Sequence, residues 1–280
     1  MSDRALGILA AELRWHSAPD LASAAFTAEA LLPRVRELAG TRVELAERDE
    51  GGGMERFVFP EVRSVHAVGE LPMVVAWALP DAGAVDELPP EAFLHSSAWP
   101  EAREALAGAT HAMLVTDVMA RLVPPVQRLR AYHAVLRAVV ESTRPAGVVL
   151  VGSDRVLPPA AYLDGLDRDP TGFSVALNVR RFHTDPATGE SVFDTMGLAP
   201  LGLPDVQLQF IGLDQEAAAH WVASVAWSLF ERGDVIADGH VVSGLDPAVV
   251  WPCRHEIGLA DPERVVIDVD PSPHGPARPG

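Results

Sequence analysis

The stretch 173-FSVALNVRRF-182, 183-HTDPATGE-190, 191-SVFDTMGLAPLGLPDVQLQF-210 decides the fold of this chain. It reads as a strand, a Pro/Gly turn, a second strand, an apolar corner and a third strand. Val206, Leu208 and Phe210 alternate with Gln207 and Gln209, the period of a strand with one buried face. Gly197 and Gly202 allow positive φ at the corner, and Pro204 stops it before the third strand. Asp194 and Thr195 precede the corner, where side-chain oxygens cap a turn by accepting backbone N–H groups.

Downstream, Asp214 caps a predicted helix over 215–232, and Gly233 ends it. Ala218, Trp221, Val222, Val225, Leu229 and Phe230 form its inward stripe. Short strands are expected at 235–236, 241–242, 253–257 and 265–269. Upstream, 71–79, 111–119 and 147–152 read as buried strands, and 57–65 as a further one. Residues 21–38 are spaced as an amphipathic helix closed by Gly40, and Pro124-Pro125 open a long helix to about Ser142. Residues 6–15 fit a strand or a helix start equally. The pattern is α+β: two mixed β-sheet halves with helices packed on them, the first on a ferredoxin-like, split βαβ plan over 5–118. The halves are placed at 1–165 and 166–270, with a disordered Pro/Gly tail at 271–280.

The 280 residues carry a formal net charge of -17. An acidic chain lacks the basic footprint that nucleic acid or an anionic membrane demands, so neither is an expected partner. No apolar run is long enough to span a bilayer. The apolar run near the N-terminus follows Asp3-Arg4 rather than a basic segment, which argues against a signal peptide. Cys253 is the single cysteine, so no internal disulfide forms; the expected compartment is the cytoplasm. All 22 basic residues are arginine. Chemistry through a lysine Schiff base, a Walker A lysine or a kinase-type lysine is thereby excluded.

The candidate binding residues are Asn178, Arg180, Asp194, Thr195 and Asp205. Alternation puts Asn178 and Arg180 on one strand face, with Asp194 across the hairpin. Arg180 can grip a carboxylate or phosphate with two parallel bonds. The competing reading is an arginine–carboxylate pair that pins the hairpin. His240, Cys253 and His255, with Asp238 or His220, lack the closely paired spacing of zinc ligands, so no metal and no other cofactor is expected. The glycine triplet 51–53 follows two acids and leads to no GK[ST], so it is read as a turn. Gly152-Ser153-Asp154 lacks the GxSxG elbow, and no catalytic residue is assigned.

ALNVRRF, then FDTMGLAPLGLPDVQLQF, then a helix leading into LFERGDVIADGHVV resembles the bacterial domain-of-unknown-function family number 4261. AWPEAREALAGATHAMLVT and the VVLVG strand add to it, and the resemblance spans roughly Phe93 to Asp268. Its most specific part runs from Asp194-Thr195 through Gly197, Leu201 and Gly202 to Pro204, Asp205 and Gln207. Val151 stands where the family pattern implies an aromatic beside Gly152. The resemblance implies a bacterial origin and this fold, and it supplies no catalytic residues. The expected function is a non-catalytic protein-binding or accessory role, of immunity type by analogy with such families. The alternative is a hydrolase-type enzyme with a polar site near Arg180 and Asp194.

Overall fold

The computed structural model describes residues 7–19, 27–46, 54–67, 69–78, 85–94, 99–185 and 188–271. The chain divides into two compact units, Met1–Ala176 and Leu177–Gly280. The boundary expected at 165/166 falls inside a helix, Pro159–Arg168. The glycine triplet lies outside the described residues, as does the expected tail apart from Pro271, which is buried.

In the first unit the strands are β1 (Ala10–Trp15), β2 (Glu44–Leu45), β3 (Met54–His66), β4 (Gly69–Ala78), β5 (His111–Val118), β6 (Gly147–Leu150) and β7 (Arg155–Leu157). The helices are α1 (Ala28–Ala39), α2 (Glu91–Leu94), α3 (Ala102–Leu106), α4 (Pro125–Thr143), α5 (Pro159–Arg168) and α6 (Phe173–Ala176). The strands form one sheet in the order β2-β3-β4-β5-β1-β6-β7. All of its pairings are antiparallel, so this sheet is not mixed. Nor is the strand order ferredoxin-like: β2 to β5 are successive neighbours and β1 joins beyond β5. A split βαβ plan would instead insert a hairpin strand beside β1. Strands adjacent in sequence most often pair, and the pairing of His66 with Gly69 closes the β3–β4 hairpin.

One face of this sheet carries Phe57, Val75, Trp77, Met113, Val115 and Leu13, all buried. α4 covers that face. Pro125 suits its first turn, since the missing N–H there has no helical partner anyway. The Tyr132 hydroxyl donates to the Val115 carbonyl at 3.0 Å. Buried Arg128 donates from Nε to Asp117 Oδ2 at 2.6 Å and from Nη2 to the Gly7 carbonyl at 2.7 Å. The opposite face carries Glu12, Arg14, Leu114 and Val118, with α3 packed over the β6 edge: a Cβ on Gly147 would meet Leu106 at 2.7 Å.

The second unit holds β8 (Asn178–Asp185), β9 (Glu190–Met196), β10 (Asp205–Ile211), α7 (Gln215–Arg232), β11 (Val241–Ser243), β12 (Val250–Ile257) and β13 (Val265–Val269). Its six-stranded sheet has the order β11-β12-β13-β10-β9-β8 and is mixed, because β13 lies parallel to β10. Asp214 caps α7 as expected, accepting from Ala217 N at 2.8 Å. Phe193 and Phe210 stack at 5.6 Å on the face of the sheet that alternates away from Arg180 and Gln207.

Two local expectations are corrected. Residues 173–176 form a helical turn rather than the start of the strand, because Asp169 and Thr171 capture the N–H groups of Ser174 and Phe173. Val235-Ile236 is not extended: Val235 N bonds back to Gly233 O.

Candidate functional site

The register of the second sheet places polar residues side by side on one face. Arg180 lies opposite Asp194, Asp194 opposite Gln207, Gln207 beside Asp268, and Asp268 opposite Arg254. Each strand contributes one member, so the row crosses five strands. Arg180, Asp194, Gln207 and Asp268 are buried.

Burying such groups is tolerable only when their hydrogen-bonding capacity is spent. Arg180 grips Asp194 with two bonds, Nε to Oδ1 at 2.9 Å and Nη2 to Oδ2 at 2.5 Å. Its Nη1 donates to the Asp261 carbonyl at 2.8 Å, and its guanidinium lies over the Phe182 ring. Arg264, from the loop between β12 and β13, reaches the same carboxylate, donating from Nη2 to Asp194 Oδ2. That nitrogen also bonds the Thr195 carbonyl at 3.0 Å. Its Nη1 holds the Ala260 and Pro262 carbonyls, at 2.9 and 3.0 Å. Further along the row, Gln207 donates to Asp268 at 2.9 Å and accepts from Leu259 N at 2.7 Å.

The corner is held by Asp205. Its Oδ1 accepts from the Thr195 hydroxyl at 2.9 Å and from Leu198 N at 3.2 Å, and its Oδ2 accepts from Ala199 N at 3.4 Å. Thr195 Oγ1 in turn accepts from Val206 N at 2.8 Å. The capping role expected of Asp194 therefore belongs to Asp205, while Asp194 binds the two arginines. Arg264 Nε faces Asp205 Oδ2 at 3.5 Å, an ion pair without a hydrogen bond. Full burial outweighs that cation and pushes the Asp205 carboxyl up to about 6.

Of the five candidates, Arg180, Asp194, Thr195 and Asp205 come together through Arg264. Asn178 is buried two positions along β8, opposite Met196. Arg264, Gln207 and Asp268 were missed as members. Gln207 had a legible signal, a polar residue in an alternating strand; Arg264 had none, being 70 residues from Asp194. His255 bonds Asp238 and Asp234, which raise its pKa, and buried Cys253 is pushed up to about 11. Among the described residues no group of three or more His, Cys, Asp or Glu side chains is placed to hold a metal ion.

Clefts of the first unit include two lined by ionisable residues. One, of about 270 Å³, lies between α1, α4 and α5 and is lined by His133. Its imidazole pairs through Nδ1 with the Tyr162 hydroxyl at 2.9 Å, and burial lowers its pKa to about 3. The other, of about 310 Å³, is lined by Arg14 and Arg103. No helix among the described residues is long and apolar enough to cross a membrane.

Residues 194–270 match the family model described as Domain of unknown function (DUF4261). The match supports the resemblance over the stretch that carries Asp194, Asp205, Gln207, Arg264 and Asp268. No curated protein and no solved structure matches the chain.

Proposed function

We propose that this is a non-catalytic binding protein of the cytoplasm, with an accessory role exercised by docking a basic protein partner. The observation that carries the reading is the composition of one face of the first sheet. An antiparallel sheet with a single covered face usually alternates apolar-in and polar-out. Here the face opposite α4 presents Met54, Leu114 and Val118 at 45, 46 and 40% exposure, with half-buried Val58 and Val74 beside Val118. Contiguous exposed apolar surface of this kind marks interaction sites. Glu44 stands on the same face, and the net charge of -17 favours encounter with a cationic partner.

The rival hydrolase reading asks Arg180 or Asp194 to meet a substrate. Both are already engaged: they bond each other, Arg180 also bonds the Asp261 carbonyl, and Asp194 also accepts from Arg264.

The test places a photo-crosslinking amino acid at Val118, with Arg130 on α4 as control position, in host cells. The expected result is one discrete basic protein trapped from position 118 alone. Purified, that protein should bind the full chain more weakly as salt rises, and binding should be lost with Met54→Asp and Leu114→Asp together. Equal trapping at both positions, or an adduct only with a second copy of the chain, overturns the reading. So does turnover of a member of a broad hydrolase substrate panel.

A further inference from the structure

The structure assigns to the first unit a second, independent binding site: a cleft for a small oxyanion on an apolar body, with Arg14 as its anchor. Arg14 and Glu12 project from β1 on the same face, two residues apart. Glu12 accepts from Arg14 Nε. The Arg14 side chain is only 5% exposed, and Glu12 is its one side-chain partner among the described residues. Its two terminal nitrogens carry four further N–H groups, and neither nitrogen is sealed from solvent without a partner. They are reached from the cleft, where an incoming oxyanion exchanges water for charge-assisted bonds.

The space they face is the cleft of about 310 Å³, at the lower end of the size of small-molecule sites. Its chemistry is consistent with that occupant. Arg103, in α3, lies over the Phe93 ring at 5.5 Å, so its cation is held at the cleft while the in-plane N–H groups stay available. Leu88, Phe93 and Leu106 supply an apolar wall for the rest of the ligand. Glu12 offsets the Arg14 charge and Glu87 stands on the rim, so a singly charged group suits the balance better than a doubly charged one. The geometry of a guanidinium fork matches a carboxylate or a phosphate oxygen pair. These share one recognition chemistry, and the ligand is of that class.

The test is calorimetric titration of the full chain with phenylacetate, phenyl phosphate and the neutral phenylacetamide at constant ionic strength. The expected result is saturable 1:1 binding of at least one of the two anions, with the amide at least about tenfold weaker, as loss of a charge-assisted bond requires. The stronger anion identifies which oxyanion the cleft takes. Arg14→Gln should weaken binding at least about tenfold. Ala107→Phe, at an exposed position of the cleft wall away from the buried charge, should block it with the circular dichroism spectrum unchanged. Equal affinity for the amide, no saturable binding of either anion at millimolar concentration, or undiminished binding by folded Ala107→Phe would each overturn the assignment. None of these outcomes bears on the sheet-face crosslink at Val118.

Discussion

Arg180 and Arg14 are both buried arginines on β-strands, each facing a carboxylate, and the resemblance ends there. Arg180 belongs to a tightly paired set: each of its three nitrogens is bonded, two to Asp194 and one to the Asp261 carbonyl, and a second arginine shares Asp194. Arg14 bonds through Nε alone and lines a cleft. The difference separates architecture from recognition. A buried charge gripped by a carboxylate with two bonds and bonded through every nitrogen holds the fold, whereas one bonded through a single nitrogen beside a cleft is arranged for something that arrives.

The sharpest way to break this comparison is to remove the carboxylate at the centre of the paired set. Asp194→Ala leaves Arg180 and Arg264 buried at 3 and 5% exposure without their shared anion. Loss of one partner of a buried pair costs about 3–5 kcal/mol. Denaturant unfolding of the isolated variant is expected to show a loss in that range, or no folded second unit at all. A loss under about 1 kcal/mol would mean that the arginines can reach water, and the description of a tightly paired set would fail.

A smaller effect comes from Asp205 and has an unusual sign. Its folded pKa, near 6, lies above the ordinary carboxylate value of about 3.9. Between those values the folded state binds the proton more tightly than the unfolded chain. The stabilising contribution is therefore complete below about pH 4 and is lost as pH rises through 6. A raise of about two units corresponds to about 3 kcal/mol. Other paired carboxylates act in the opposite direction, so the readout is a difference. The stability–pH profile of the protein minus that of Asp205→Asn should fall from pH 4 to 6. A flat or rising difference would show that Arg264, at 3.5 Å, outweighs burial.

How much of this was legible depended on sequence distance. The α7 cap at Asp214 and its stop at Gly233 are local patterns, and each was read correctly; β10 is a strand as expected, but both of its faces are buried at Gln207 because that side chain is paired with Asp268. The Arg180–Asp194 pair was legible as one of two readings, because a hairpin brings those positions opposite each other. Arg264 was not legible, since only the register of β13 beside β10 carries its loop to Asp194. The order of the first sheet was equally hidden: alternation fixes which side of a strand is buried, not which strand lies beside it. Arg14 gave no signal, because E-L-R in an alternating strand is indistinguishable from a solvated charge pair until α3 and Phe93 are seen around it.

The smallest effect sharpens the comparison from the open side. Arg14→Met keeps most of the side-chain volume and removes a buried cation bonded to one carboxylate through Nε. Glu12 is left behind, but its side chain is 28% exposed and can be hydrated. Replacing a buried charge by an apolar group of similar shape is often neutral or stabilising. Unliganded stability is therefore expected to change by less than about 1 kcal/mol in denaturant unfolding, in either direction, while phenylacetate or phenyl phosphate no longer raises the melting temperature. A loss approaching that of Asp194→Ala would place Arg14 in the same class as Arg180, a charge the fold depends on. The contrast rests on the strand environments: β9 holds Asp194 between two cations, whereas β1 offers Arg14 one half-solvated carboxylate and a cleft.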